Sequence, residues 1–467
     1  MDRAAIVRSF CRSAAMALLA LSACGSDPAS NTEVRPAHSG AQNVAPGSAP
    51  GGHPVDPTAI APTGGSKLLD SLDDIDDTPE PAVRAPGETV GEIAAPATLD
   101  AAAPPHGCVV LTRTPTRVLA SGGPASIAAT PAGFVVAGYM RGAEGESVVV
   151  VRLSPSTPPY PLATLSLGAG TPAPRLAPPT VATLDNARVF VAAADTRGSL
   201  RAVALSLSAA TARPELRGIG SGADLRFAPA VAALRGGAAA VAYTDGNATP
   251  MRVRLVVVRP DLSVAARHDL TPESLGASAP VVDVRAEVPV VVFLVARGGL
   301  SRVVRVALGE DGTPRPAQID RPLSTVSEPA HIAAAHIGPR RFVAYTAIGR
   351  AATSAIGLVE LGGTLPAEPL VPGEGYGVLQ LAAVSTPGAA VFLATRPAPG
   401  VAATERFNGL LLARVVDEAG IGPALQVSTA EERIFHASLA RGSDGTIGVA
   451  YTTTDGVSVV WMRCDDR

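Results

Sequence analysis

Apolar residues between positions 108 and 467 fall into short runs that recur about every 50 residues, with polar and turn-forming residues between them. Each recurrence begins with a proline, one or two small residues and a β-branched residue. Examples of these prolines are Pro124, Pro179, Pro229, Pro280 and Pro329. A second apolar run follows each of them, ends at a glycine, and is followed by a third run. Short Val-rich runs separated by Gly, Pro and Asp predict strands.

The count of the repeats predicts the architecture. Seven glycines close the second runs, at Gly142, Gly198, Gly246, Gly298, Gly349, Gly400 and Gly456. A weaker fourth run ends six of the units, and four antiparallel strands in about 50 residues are typical of a propeller blade. We therefore expect an all-β fold, a seven-bladed β-propeller over residues 108–467. A pair of β-sandwich domains is the alternative, although sandwiches need not repeat at a fixed period.

The two ends of the repeat region are complementary. The last unit stops after its third run, at Met462, while strand-like segments at 109–111 and 117–120 precede the first unit. A propeller has to pair its first and last strands or leave exposed edges. The simplest closure gives the N-terminal segment to the last blade and brings Cys108 close to Cys464. In an oxidising compartment this pair is expected to form a disulfide; two free thiols are the alternative.

The first 24 residues have the layout of an export signal. Arg3, Arg8 and Arg12 precede an apolar run at 14–21 that is too short to span a bilayer. The sequence Leu21-Ser-Ala-Cys24 resembles the bacterial lipoprotein box, in which the signal is cut before a cysteine that carries lipid. The resemblance implies a signal peptide over 1–23, a lipidated Cys24 and a place in the cell envelope, with Gly25 favouring the outer membrane. An ordinary secretory signal with a chance cysteine is the alternative.

Residues 24–107 are predicted to form a disordered tether. They consist mainly of Pro, Ala, Gly, Ser, Thr and acidic residues, and have few apolar residues to offset the entropy of ordering. Residues 25–107 hold twelve acidic against three basic residues, a net of −9, and a flexible chain of this length spans roughly 50 Å. The predicted signal has a net charge of +2. Since the whole chain has a net charge of −3, the repeat region has a net charge of +4, which is too small to favour binding to nucleic acid.

Candidate binding residues lie at the turns between second and third strands. Several of these turns carry an arginine, and a ring of them would receive an anionic ligand or an acidic partner. The arginines are Arg141, Arg197, Arg297, Arg350 and Arg396. The alternative is that they are solvated turn residues.

Other polar and aromatic residues are expected to be structural. His331, His336 and His436 lie in or near first strands that line a central channel, but they lack a carboxylate motif, so we expect no metal site. The tyrosines that close second strands are expected to pack between blades. The segment 442–446 partly resembles the Asp-box turn of sialidase-like propellers, yet its position predicts a hairpin turn.

The chain as a whole resembles a bacterial lipoprotein bearing a β-propeller, similar in broad design to WD40 and NHL families but without their blade motifs. The expected function is a non-enzymatic binding or scaffold module, monomeric, lipid-anchored and facing an unknown protein or polymer partner, with no cofactor and no catalytic residue assigned. One alternative is a glycan hydrolase or lyase with residues dispersed over the blades. Another is a factor in outer-membrane assembly.

Overall fold

The computed structural model describes residues 108–464 with short gaps. The gaps are 113–114, 121–122, 143–144, 169–176, 209–213, 272–274, 286–287, 298–299, 324–327, 349–353, 363–367, 376–380, 398–408, 418–419, 429–433 and 435. The predicted signal peptide, Cys24 and the tether lie outside the described residues. Within them, no helix is long and apolar enough to cross a membrane.

Strands of the described chain form seven antiparallel sheets, here called blades. Blades 1 to 6 each use four consecutive strands, paired in chain order from the inner to the outer strand. Blade 1 is β3 (Ala125–Thr130), β4 (Gly133–Gly142), β5 (Gly145–Ser154) and β6 (Thr157–Ser166). Blade 2 is β7 (Thr180–Thr183), β8 (Arg188–Ala194), β9 (Leu200–Ser206) and β10 (Arg217–Gly220). Blade 3 is β11 (Ala230–Ala233), β12 (Ala239–Asp245), β13 (Arg252–Val258) and β14 (Val264–Asp269).

The next three blades repeat this plan. Blade 4 is β15 (Gly276–Arg285), β16 (Val288–Arg297), β17 (Leu300–Ala307) and β18 (Gln318–Pro322). Blade 5 is β19 (Glu328–Ile337), β20 (Arg340–Ile348), β21 (Ser354–Leu361) and β22 (Glu368–Gly375). Blade 6 is β23 (Leu381–Ser385), β24 (Ala390–Pro397), β25 (Gly409–Asp417) and β26 (Gly420–Gln426).

Blade 7 joins the two ends of the domain. Its first three strands, counted outward from the inner strand, come from the C-terminal part of the chain: β27 (His436–Arg441), β28 (Thr446–Thr453) and β29 (Gly456–Cys464). Two short N-terminal strands, β1 (Cys108–Val110) and β2 (Thr116–Leu119), share the outer position and both pair with β29. Each inner strand also contacts the inner strands of the two adjacent blades, from β3 round to β27 and back to β3. The fold is therefore a seven-bladed β-propeller, and the sandwich alternative is wrong.

Packing between blades explains the Val-rich composition of the second and third strands. A blade in a ring is covered on both faces, so its middle strands need apolar residues at consecutive positions rather than alternate ones. All seven residues of β12, for example, are buried. Buried side chains of the described residues form seven apolar clusters, one at each junction between adjacent blades. The propeller is thus held together by its blade junctions.

The closing blade carries the predicted disulfide. Cys108 and Cys464 are direct partners in the β1–β29 register, and a disulfide joins them. Both cysteines are buried in the cluster between blades 6 and 7. At the β28–β29 turn, Gly456 has a φ of +129°, and a Cβ there would collide with the Leu119 carbonyl oxygen. That turn therefore requires glycine if β2 is to reach its place on β29.

Candidate functional site

A cavity of about 120 Å³ lies at the end of the central channel where the inner strands begin. Segments that lead into or open the inner strands of blades 2 to 7 form its wall. The lining residues are Ala177, Pro178, Arg226, Phe227, Ala228, Ala279, Pro280, Val281, His331, Ile332, Leu381 and His436. Most of them adjoin the prolines that open each repeat, so the motif that builds the inner strands also builds this cavity.

Two of the three histidines singled out in the sequence meet at this cavity. His436 pairs with Thr452 across β27 and β28, and the backbone N–H of His331 donates to Thr346 Oγ1 at 3.0 Å. Thr346 and Thr452 each follow the tyrosine near the end of a second strand. The two imidazoles therefore occupy equivalent positions in blades 5 and 7, on either side of blade 6.

The surroundings of these imidazoles keep them neutral at pH 7. Burial lowers the pKa of His331. Burial, followed by repulsion from His331, lowers the pKa of His436 to about 4, against the opposing effect of a hydrogen bond with the Ala125 backbone. Each ring therefore keeps one nitrogen lone pair. His436 is only 8% exposed, and its Nδ1 is buried without a hydrogen-bond partner among the described residues.

A row of charged and aromatic side chains leads from the rim of the cavity to His331. Arg226 is bound to Asp224, with Nη2–Oδ2 at 2.6 Å and Nε–Oδ1 at 3.0 Å. The guanidinium lies 5.6 Å from the Phe227 ring centre, and Phe227 and His331 have ring centres 5.7 Å apart, tilted by 51°. The row thus presents a cation and an aromatic ring to whatever enters the channel.

Electrostatics fix both ends of the Asp224–Arg226 pair in their charged forms. Burial would raise the pKa of Asp224, but hydrogen bonds from the Arg226 side chain and backbone outweigh it and hold that pKa below its usual value. The hydrogen bond to Asp224 in turn raises the pKa of Arg226. The Arg226 side chain is 57% exposed, so the pair orients the guanidinium without removing it from solvent.

His336, the third histidine, lies at the other end of the channel. It is five residues after His331 on β19, a separation of roughly 16 Å along a strand. Its Nδ1 is 2.8 Å from Asp283 Oδ1 and 3.1 Å from Ser385 Oγ. Arg341 Nη1 lies 3.5 Å from the other Asp283 oxygen. These four residues form a polar cluster across blades 4, 5 and 6.

This cluster contains a serine, a histidine and an aspartate but lacks the arrangement of a catalytic triad. In a triad the serine and the carboxylate contact different ring nitrogens, so that the imidazole carries a proton for the serine while the carboxylate orients it. Here Ser385 and Asp283 both contact Nδ1 of His336. In addition, Ser385 Oγ accepts a hydrogen bond from the His336 backbone N–H at 2.9 Å. We assign the cluster a structural role between blades.

The predicted arginine ring is only partly described. Second strands run antiparallel to inner strands, so their closing turns lie on the same face as the cavity. Arg141 and Arg197 are exposed on these turns. The Arg197 backbone N–H donates to Asp195 Oδ1 at 2.9 Å. The side chains of Arg297 and Arg396, and all of Arg350, lie outside what the structure describes, so the ring stays a prediction.

Two structural expectations from the sequence are confirmed. Tyr139, Tyr243, Tyr345 and Tyr451 are at most 4% exposed. The Tyr139 hydroxyl donates to the Ala194 carbonyl of the neighbouring blade at 3.3 Å, so it packs between blades. The segment 442–446 forms the β27–β28 turn, in which Gly442 N–H donates to Thr446 O at 2.7 Å and Gly445 has a φ of +80°.

Sequence reasoning missed Arg226 and Phe227. They stand two to three residues before Pro229, in a segment that belongs to no apolar run and has no periodic pattern. The available signal was the repeat itself, because residues just before each opening proline converge at the channel mouth. The described residues bring no three His, Cys, Asp or Glu side chains together in a group that could hold a metal ion.

Comparison with known proteins supports the fold. No protein-family model matches the chain, and no curated protein matches it. The BP39L lectin from Burkholderia pseudomallei aligns with a TM-score of 0.52 at 14% identity, covering 74% of this chain and 97% of the lectin. Polysaccharide lyase Uly1 aligns with a TM-score of 0.49 at 7% identity, covering 74% and 90%. The Trypanosoma rangeli sialidase aligns at 0.40 and 15% identity, covering 66% and 56%.

Proposed function

We propose that this protein is a lipid-anchored envelope protein whose propeller binds an acidic saccharide end-group in the channel cavity. The observation that carries the binding role is the row from Arg226 through Phe227 to His331 at the mouth of the cavity. A guanidinium pairs with carboxylates, an aromatic ring packs against the apolar face of a sugar, and neutral imidazoles hydrogen-bond to hydroxyls. The shared fold with a lectin is a reason to begin with saccharides.

The anchor and the cavity have separate roles in this proposal. Lipidated Cys24 would hold the chain at a membrane through two or more acyl chains, since a single acyl chain gives only marginal binding. The tether would carry the propeller away from the lipid surface toward a polymer. Binding at a channel mouth does not require turnover, so the protein would act as a receptor or adhesion module.

Changing Arg226 to Met should weaken binding of a uronic or sialic acid at least tenfold. The variant removes the positive charge and its hydrogen bonds while keeping the length of the side chain, and such charge-assisted bonds contribute about 1.5–3 kcal/mol each. Phe227→Ala, as a separate variant, should weaken the binding of acidic and neutral sugars alike, because it removes the aromatic ring that packs against the sugar. Isothermal titration with glucuronate, galacturonate and sialic acid measures both effects.

Arg217→Met is the matched control, because Arg217 is an exposed arginine on the outer strand of blade 2. It should bind the same sugars as the parent protein. Equal affinities in Arg226→Met and Arg217→Met would contradict the cavity as the binding site. Release of unsaturated or shortened products on prolonged incubation with an acidic polysaccharide would instead establish the lyase or hydrolase alternative.

Changing Cys24 to Ser should release the protein from membranes into the soluble envelope fraction. The serine hydroxyl does not take the thioether-linked lipid, so the remaining chain has no acyl anchor. Fractionation together with metabolic labelling by a fatty-acid analogue checks this. Cys11→Ser, inside the predicted signal, should remain membrane-bound and labelled. Persistent membrane association of the Cys24→Ser protein would refute lipid anchoring.

A further inference from the structure

Arg226 has most of its hydrogen-bond donors occupied by the protein itself. Its Nε donates to Asp224 Oδ1 at 3.0 Å, and its Nη2 donates to Asp224 Oδ2 at 2.6 Å and to Met251 Sδ at 3.1 Å. A guanidinium has five N–H groups, one on Nε and two on each Nη. Three of the five are therefore occupied. The two that have no partner among the described residues both belong to Nη1.

The loop that carries this pair is fixed by its own hydrogen bonds. The Asp224 N–H donates to Thr244 O at 2.9 Å, and the Arg226 N–H donates to Asp224 Oδ1 at 2.8 Å. The Asp224 side chain is only 10% exposed, whereas that of Arg226 is 57% exposed. Asp224 therefore holds the guanidinium in one orientation and leaves Nη1 for a ligand.

The Asp224–Arg226 pair also sets the charge at the mouth of the cavity. Arg226 is the one Arg, Lys, Asp or Glu among the described lining residues, and the carboxylate of Asp224 cancels its charge. The mouth therefore binds an anion through the Nη1 hydrogens rather than through a net positive charge. Asp224 repels each negative charge on a ligand across the guanidinium, so this repulsion is about twice as large for a dianion as for a monoanion.

We propose that Asp224 is the positioning residue that makes the cavity selective for a singly charged carboxylic sugar over a phosphate monoester. The inference rests on the saccharide proposal, because it concerns which acidic sugars the same cavity accepts. Asp224 leaves Arg226 with one nitrogen, which a carboxylate engages with one oxygen. A phosphate monoester brings about two charges, and one nitrogen of an uncharged pair compensates them poorly.

Three sugars that differ only at C6 test this selectivity: glucose, glucuronate and glucose 6-phosphate. Isothermal titration with the full chain at about pH 7.5 keeps the phosphate close to its doubly charged form. The parent chain should bind glucuronate about tenfold more tightly than glucose 6-phosphate. Glucose should also bind more weakly than glucuronate, because it has no acidic group for Nη1.

Asp224→Asn removes the negative charge and keeps an oxygen that accepts a hydrogen bond. The uncompensated guanidinium should raise the affinity for glucose 6-phosphate more than that for glucuronate, shifting their ratio about tenfold toward the phosphate. Added NaCl should then weaken acid binding more steeply than in the parent, because the site has a net charge. A residue that only supported the loop would change neither the ratio nor the salt dependence.

Asp261→Asn is the matched control. Asp261 is an exposed turn aspartate whose Oδ1 accepts the Ser263 backbone N–H at 2.9 Å, as Asp224 does from Arg226. This variant should keep the affinities of the parent chain. Thermal melts show whether Asp224→Asn folds. If it does not, Met251→Leu decides, since it frees one Nη2 hydrogen and should tighten glucuronate binding about threefold by offering a second nitrogen.

Two results would overturn the role of Asp224 while glucuronate still bound: a parent chain that prefers glucose 6-phosphate, or an Asp224→Asn protein in which both acids weaken by the same factor. With Asp224→Asn unfolded, an unchanged glucuronate affinity in Met251→Leu would overturn it as well. A parent chain that bound none of the three sugars would contradict the saccharide proposal itself. The two failures are therefore distinguishable in one set of titrations.

Discussion

Replacing both Cys108 and Cys464 with Ala should lower the thermal unfolding midpoint by up to roughly 7 °C. The disulfide closes a loop with a sequence separation of 356. In the chain-entropy treatment such a cross-link stabilises by on the order of 5 kcal/mol as an upper bound, and a domain of this size converts that into roughly 7 °C. Differential scanning calorimetry on the parent and the double variant measures the change.

The effect should be concentrated at the closing blade. β1 has three residues and β2 has four, so the pairing of the N-terminal segment with β29 is short and the disulfide is its one covalent attachment. Beyond β1, Leu111 N–H donates to Trp461 O at 2.7 Å, and the Trp461 N–H donates to Thr112 Oγ1 at 3.4 Å. Without the cross-link, hydrogen exchange should speed up in β1, β2 and β29 while β12 and β16 keep their protection.

Reduction gives an independent control for this experiment. A reductant should lower the midpoint of the parent protein to that of the double Ala variant and leave the variant itself unchanged. A Cys11→Ser, Cys24→Ser protein should melt like the parent, since neither residue belongs to the disulfide. If the double variant melted at the parent temperature with uniform exchange, the disulfide would not be what closes the ring.

The repeat made the fold predictable from one sequence. Pro124, Pro179 and Pro229 directly precede inner strands, Pro329 is the second residue of β19, and Pro280 lies inside β15. Glycines such as Gly456 occupy turns with a positive φ, which other residues rarely adopt. These constraints are local, so they are visible as spacing. The closure by the N-terminal segment was also predictable, because a three-stranded last unit leaves one strand missing. The structure adds that β1 and β2 share that position.

The site was less predictable, because its residues meet only after the ring closes. His331 and His336 are five residues apart in sequence and lie at opposite ends of the channel, whereas His331 and His436 are 105 positions apart and share a cavity. Nothing periodic marks Arg226 or Phe227. These residues meet because the blades are arranged in a ring, and the spacing of residues within one repeat does not show which residues of other repeats they will meet.

Polar contacts across blades were not visible in the sequence either. Asp283, His336 and Ser385 come from three successive blades, and each is a different residue type, so no repeated residue marks them in the sequence. A sequence search for a serine, a histidine and an aspartate would have accepted them as a triad. Only the distances show that both partners use the same ring nitrogen. Geometry is therefore the test of chemistry in this fold, where each blade contributes isolated side chains.

Trp461 is the packing counterpart of the disulfide, and Trp461→Ala should cost about 3–5 kcal/mol of unfolding free energy. It is 1% exposed, and its ring centre lies 4.9 Å from that of Phe134 in the cluster between blades 7 and 1. The cavity left by an indole has little to fill it, because Gly448 packs against the same ring. Trp461→Phe should cost less, since a phenyl ring keeps part of the contact with Phe134. Denaturant titration measures both variants.

Phe190→Ala is the control that separates the loss of packing at a blade junction from the release of β1 and β2 from blade 7. Phe190 is also 1% exposed and lies in the cluster between blades 2 and 3, away from the chain ends. Its removal should lower stability by a comparable amount, because both variants empty a tightly packed blade junction. Of the two variants, only Trp461→Ala should also speed hydrogen exchange in β1 and β2, since the junction at Trp461 includes strands from both ends of the chain and the junction at Phe190 does not. If hydrogen exchange in β1 and β2 were equally fast in the two variants, packing around Trp461 would not hold these strands in place. The disulfide alone would then keep the ring closed.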